Sequence, residues 1–419
     1  MFFKEFKLPK APIFSGEDIN VLDFALDGND ITDALAKAIA KASECNARVI
    51  VPGGEYICGK IHLKSNMCLH LEKGAFIKHV PTPERYLPVE FTTYGGIRCY
   101  NYSPLIYGRG LENVAITGEG CFDGSGEYWW SWAKNMTARE ILYHAGLPLE
   151  ERRFGTPEFG LRPMFLQILE SKNVLIEGVR FINSPCWTVN LVWCEDAIVR
   201  GLIIENPEMS PNTDGVNIES CNRALVENCT VVSGGDDMFC IKAGRNEDAW
   251  EVGKPCENVV IRNCRSLSKS RSGGIVIGSE MSAGVRNILA ENCEFAHNLN
   301  CIRIKAKDGR GGYVRDIDYR NIKMKKGMRG INLTFRYSCE ATDDAKVPGK
   351  YMPSFSNISF NNIVCDEVEQ GIAIDGIYGG VMENLYFENI RMNAEKCLCC
   401  DTALGLNMKN VCLKEIRKP

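Results

Sequence analysis

A short phrase recurs down this chain: an Asn or Asp, a β-branched or apolar residue, then alternating apolar positions. Its copies include NVLIEGVRFINS from Asn173, DAIVRGLIIENP from Asp196, RALVENCTVVSG from Arg223, NVVIRNCRSLSK from Asn258 and NILAENCEFAHN from Asn287. DIDYRNIKMKKG from Asp316, NISFNNIVCDEV from Asn357 and NLYFENIRMNAE from Asn384 continue the series. The starts lie 23 to 41 residues apart, and each unit carries period-2 strands instead of a helical 3.6 pattern. One such unit cannot bury its own apolar face. Stacking successive coils about 4.8 Å apart buries a continuous core. The expected fold is therefore all-β, a right-handed single-stranded parallel β-helix. Leucine-rich repeats would show Leu at fixed short offsets with a helix per repeat, and propeller blades would show four antiparallel strands. Neither pattern is present.

An asparagine marks the middle of many units: Asn228, Asn263, Asn292, Asn321, Asn362 and Asn389. Asn tolerates the left-handed backbone region, so at a repeated turn its amides can bond to the coils above and below. Cys229, Cys264 and Cys293 follow in three units and read as an inward stack of small side chains. They lack the convergent pairs of a zinc site. Cys397, Cys399, Cys400 and Cys412 are read as packing residues for the same reason.

Solenoid ends need covers. The stretch Asn29–Ser43 (NDITDALAKAIAKAS) reads as an Ala-rich helix over the first coil, with Asp30 or Thr32 as its N-cap. The whole of 1–419 reads as one β-helix domain, with the cap and first coils over about 20–80. From about 125 to 161, beginning at the aromatic run Tyr128–Trp132, the repeat breaks into a charged excursion suited to one side of a groove.

A net charge of −4 with both signs interspersed gives no field toward nucleic acid or an anionic membrane. Lys4, Glu5, Lys7 and Lys10 interrupt any signal-like apolar run, and no stretch approaches the roughly 20 apolar residues of a membrane span. Twenty cysteines without an export signal point to a reducing cytoplasm.

Two acidic phrases, Asn212-Thr213-Asp214-Gly215 and Gly234-Gly235-Asp236-Asp237, stand 22 to 23 residues apart, one turn of the solenoid. Asp214 is expected to stack over Asp236 and Asp237, and repulsion should raise at least one of the three pKa values. Glycosidic cleavage needs that asymmetry: one carboxyl protonates the leaving oxygen while another activates water or attacks carbon. The same phrases are ordinary turn sequences, and clustered aspartates also suit Ca²⁺. Further along, Arg303 and Lys305 alternate with Ile302 and Ile304, so both point outward from one strand. There they could clamp a sugar carboxylate, Arg through its fork and Lys as a point charge.

NTDG, GGDD, Gly274-Ile275-Val276-Ile277-Gly278-Ser279-Glu280 and Arg303-Ile304-Lys305 occur in the order used by polygalacturonases of glycoside hydrolase family 28, which the chain resembles over most of its length. Val51-Pro52-Gly53-Gly54-Glu55-Tyr56 and LKSNMCLHLEKGAFI resemble that family's first coils. The resemblance implies an inverting, metal-independent hydrolase with no cofactor, acting on pectic galacturonides. It implies Asp236 as general acid, Asp214 and Asp237 as holders of the attacking water, and Arg303 and Lys305 as binders of a galacturonate carboxylate. Asn212 and Lys242 are further binding candidates. The family's Gly-His-Gly is here Ser272-Gly273-Gly274, so Gly273 replaces a histidine. That substitution allows either a substitute group, such as His297, or a different substrate of the rhamnogalacturonan type. The phrase IGSEMSAGVRN resembles bacterial exo-acting members, which implies release of single residues from the non-reducing end.

Overall fold

A computed structural model of the chain describes residues 1–25, 28–134, 136–144, 146–267, 269–337 and 351–416. The parallel solenoid expected from the repeat is what these residues form. Twenty-seven strands join one sheet in which every pairing is parallel, and the sheet advances coil by coil along the chain. Successive coils hold register so well that like residues stack on like. Ile168, Leu191, Ile218, Ile241, Ile277, Ile304, Leu333 and Ile374 form one such inward column. Each is fully buried. At about 1.5–3 kcal/mol per buried aliphatic side chain, such columns are what the isolated unit lacks.

The asparagines take the conformation that the ladder requires. Asn228, Asn263, Asn292, Asn321, Asn362 and Asn389 have φ between 53° and 59°. Side-chain amides bond along the column, Asn321 Nδ2 to Asn292 Oδ1 at 3.0 Å and Asn362 Nδ2 to Asn321 Oδ1 at 2.7 Å. The residues that open each unit make a second left-handed corner, at which even Asp196 and Arg223 adopt φ of 57° and 59°. Cys229, Cys264 and Cys293 stack inward and are buried. Every described cysteine is a free thiol.

The Ala-rich segment forms the helix Thr32–Cys45, which buries Ala34, Leu35, Ala38, Ile39 and Ala42 against the first coil. The N-cap position falls on Ile31, which has no side-chain acceptor, so neither Asp30 nor Thr32 is the cap expected from the sequence. Asp30 Oδ1 accepts the Thr32 N–H at 3.0 Å from one residue further out, and the Thr32 hydroxyl accepts from Gly59 N of the neighbouring turn. The other end differs from expectation. Cys399, Cys400 and Cys412 are exposed and Cys397 is half-buried, because no further coil follows the strand Leu404–Glu415 among the described residues. The expectation of packing there fails for want of a neighbour.

Two additions to the coils shape the groove. The strands Glu90–Tyr94 and Ile97–Asn101 pair antiparallel around Gly95 and Gly96, whose φ values of 56° and 81° suit a mirror-image two-residue turn. This hairpin lies on the outward face of the strands Leu166–Leu169 and Val189–Val192. Thr92 and Thr93 bond Gln167, and Phe91 packs on Tyr107, Leu169 and Val192. The excursion after Tyr128 includes the helix Met136–His144, whose Ala138 and Leu142 pack with Tyr94 and Ile97 of the hairpin.

Candidate active site

The aspartates meet because of register. The strands Val216–Glu219 and Phe239–Lys242 pair Val216 with Phe239, which sets Asp214 directly over Asp237. Backbone bonds keep both turns in step: Thr188 N donates to Asp214 O at 2.9 Å and Gly215 N to Asp237 O at 3.0 Å. Outward positions on the same sheet carry Lys242 and Lys305 in one column, with Gly278 between them. Since Gly278 has no side chain, Lys305 reaches back across its coil to Asp237.

The contacts divide the three carboxyls. Asp237 is buried; its Oδ2 accepts from Lys305 Nζ at 2.8 Å and its Oδ1 from the Gly273 N–H at 2.7 Å. Burial pushes its pKa up, but Lys305, Lys242 and these two hydrogen bonds outweigh it and bring the group down to about 2. Asp214 is equally buried, yet its nearest ammonium, Lys242, is 3.6 Å away. Burial and the neighbouring Asp236 therefore push it well above the ordinary carboxylate range. Its Oδ2 also lies 3.4 Å from the Cys240 thiol. Asp236 is the least buried of the three. Asn212 Nδ2 donates to its Oδ2 at 3.2 Å, and Asn212 is itself fixed by Arg162, which donates to Asn212 Oδ1 at 2.7 Å.

The three carboxyls open into a cavity of about 500 Å³, within the range of small-ligand sites. Asp214, Asp236, Asp237, Asn212, Lys242, Arg303 and Lys305 all line it, so the structure gathers the three acids and the four binding candidates into one place. Lys242 stands over the Trp187 ring at 4.4 Å, and Arg303 and Lys305 stand over Tyr337 at 5.2 and 4.7 Å. Arg303 Nε is buried with no hydrogen-bond partner among the described residues. His297 is not among the lining residues.

Gly273 has a physical reason. A Cβ there would lie 2.1 Å from Val276 Cγ2 and 2.9 Å from Asp237 Oδ1. The glycine lets its own N–H reach Asp237, so the position supplies a donor through the backbone.

Asp214, Asp237 and Cys240 are close enough to hold a metal ion. The donor set fits poorly. Ca²⁺ seeks six to eight oxygen ligands, whereas this site mixes a thiol with two carboxylates that already face Lys242 and Lys305.

Sequence reasoning overlooked Tyr94, Arg139, Tyr143, Trp187, Glu280 and Tyr337, which also line the cavity. Glu280 carried a signal, its place directly after the Gly278-Ser279 phrase. The others stand on non-repeating segments or as single aromatics.

The family model described as glycosyl hydrolases family 28 matches residues 155–394. A probable polygalacturonase of Vitis vinifera is 30% identical over 366 residues, covering 86% of this chain and 70% of its own. The structure of a hyperthermoactive exopolygalacturonase from Thermotoga maritima superposes with a TM-score of 0.86 at 33% identity, covering 97% of this chain and 94% of the other. A family 28 exopolygalacturonase of Yersinia enterocolitica shares the fold, with a TM-score of 0.80 at 22% identity over 97% of this chain and 76% of its own. With the solenoid, the stacked aspartates and these matches together, the chain belongs to glycosyl hydrolase family 28.

Proposed function

We propose that this chain hydrolyses α-1,4-galacturonosyl linkages of pectic oligosaccharides from the non-reducing end, with inversion at the anomeric carbon. The observation that carries the substrate class is Arg303. Its guanidinium lines the cavity beside the acids, its Nε has no acceptor among the described residues, and Lys305 stands on the same strand face. A buried donor without a partner costs about 1–3 kcal/mol unless a ligand supplies the acceptor. A sugar carboxylate does so.

Hydrolysis divides among the aspartates by environment. Asp237, held ionised by Lys305, takes the proton of the attacking water, and Asp214 orients that water from the adjoining coil. Asp214 and Asp236 crowd each other, so the pair retains a proton, and Asp236 on the cavity side delivers it to the leaving oxygen. Gly273 gives no reason to change the sugar, since its amide supports Asp237 directly.

The hairpin supports exo action. It covers the outward faces of Leu169 and Val192, which are fully buried, so the groove does not continue past the acids on that side. Two resemblances point the same way: the Thermotoga maritima protein is an exopolygalacturonase, and a Platanus acerifolia exopolygalacturonase is 26% identical over 360 residues.

The test is the product profile on defined oligogalacturonides. Release of one galacturonate per event, with inverted anomer and no unsaturated product, is expected. Mid-chain products would overturn exo action, retention would overturn the division of roles, and turnover of rhamnogalacturonan alone would overturn the substrate.

A further inference from the structure

The cavity holds a fourth carboxylate that the hydrolysis leaves unused. Glu280 Oε2 accepts from Lys242 Nζ at 3.0 Å and Oε1 from the Ser279 hydroxyl at 3.2 Å. The same Lys242 ammonium lies 3.6 Å from Asp214, so a single cation separates Glu280 from the acids. Burial opposes ionisation of Glu280, but Lys242, Arg310, Lys305 and Arg245 together hold its pKa far below the usual value. An ionised carboxylate offers only lone pairs, about four sites on its two oxygens.

Glu280 also stands at the blocked end. A Cβ on Gly96 would lie 3.0 Å from Glu280 Cγ, and one on Gly95 would lie 2.3 Å from the Tyr143 hydroxyl. Arg245 N donates to Gly96 O at 3.0 Å, tying the hairpin tip to this wall. The tip, Tyr143 and Glu280 therefore close the cavity on one side of the acids.

A carboxylate in a pocket for an anionic sugar repels the sugar's carboxylate and accepts its hydroxyls. In a 1,4-linked chain the oxygen at C4 is an ether in every internal residue. Only the non-reducing terminal sugar carries a 4-hydroxyl there. We infer that Glu280 reads the chain end: with the anomeric carbon over Asp236 and Asp237, the terminal ring spans the Lys242 bridge and its free 4-hydroxyl donates to Glu280. An internal residue would instead set an ether oxygen, with no proton to give, against the carboxylate, and would drive its next sugar into the hairpin tip. The inference rests on the exo-galacturonidase reading above.

The experiment compares trigalacturonate with its analogue bearing a 4-deoxy terminal sugar, in wild-type protein and in Glu280→Ala. Wild type should favour the 4-hydroxyl substrate by about 100-fold or more in kcat/KM, since a site built to bond a hydroxyl rejects the analogue lacking it. Glu280→Ala should bring that ratio near one, chiefly by losing activity on the natural substrate. Loss of Lys242's partner alone would lower both substrates equally and leave the ratio intact, which would overturn the inference. Equal wild-type turnover of the two would overturn it without any variant. A wild type inactive on both would instead remove the galacturonidase reading itself.

Discussion

Lys305 Nζ lies 2.8 Å from Asp237 Oδ2, a buried ion pair formed across a coil whose residue in that column is Gly278. The pair sets the acid limb of activity. Asp237 must be ionised to accept a proton from water, and its pKa is brought to about 2 chiefly against burial by Lys305. Lys305→Met keeps much of the stem and removes the charge. The Asp237 pKa then rises, so protonation and loss of kcat/KM occur at higher pH than in wild type. A pH–rate profile measured on short galacturonides checks the direction, and an unmoved acid limb would dissociate Asp237 from it. Stability follows the same sign. A carboxyl with a depressed folded-state pKa contributes stability above its unfolded value near 4, and that contribution is lost as pH falls toward 2.

Asp236 has the opposite requirement, since it must carry a proton into the cavity. Asp236→Asn preserves shape and the Asn212 neighbourhood but cannot give up a proton. A fall in kcat of about 10² or more is expected, with KM changed much less. Reducing-end release at substrate saturation measures it. Unchanged turnover would remove Asp236 as the acid.

Gly273 leads to a prediction that the family comparison alone would reverse. Restoring a side chain at 273 drives a Cβ into Val276 Cγ2 and Asp237 Oδ1. Gly273→Ala should therefore cost about 1–3 kcal/mol through overpacking and lower activity by disturbing the amide bond to Asp237. Adding Val276→Ala removes the nearer obstacle and should recover part of both losses. Denaturant midpoints and kcat/KM for the two singles and the double give the coupling. Simple additivity would show that Val276 is not the obstacle.

The parts of this site legible in sequence are those that repeat. Register copies one coil onto the next, so the 23-residue step from Asp214 to Asp237 was already a distance in space, and the period-2 alternation at Arg303 and Lys305 already named a face. The asparagine corners were legible because left-handed backbone restricts residue choice at each turn. Glu280, Tyr143 and the hairpin tip were not. Their meeting depends on how two non-repeating segments fold back across the groove, and no local period encodes that. Gly273 was read as a missing histidine because a backbone donor leaves no side-chain signature. At the far end, adjacent cysteines looked like core until the last coil proved to have no neighbour.

The N-terminal arm makes a stability prediction separable from catalysis. The outward positions Leu225, Val260 and Leu289 form an apolar stripe in register on a face away from the cavity. Phe3, Phe6 and Leu8 cover it. Hydrogen bonds pin the arm as well: Phe2 N donates to Asp318 Oδ1 at 2.9 Å, and Lys4 exchanges backbone bonds with the Asn287 amide at 2.7 and 2.9 Å. Each covered aliphatic residue gains up to about 1.5–3 kcal/mol from burial, and part of that is offset by ordering the arm. Deleting residues 2–8 should therefore lower the unfolding free energy by about 3–6 kcal/mol while kcat at moderate temperature stays within about twofold. Phe3→Ala alone should cost less, in the same direction. Thermal and urea unfolding beside initial rates make the comparison. A truncated protein of unaltered stability would show that the stripe needs no cover, and a matching fall in kcat would show that the arm reaches the site through the coils.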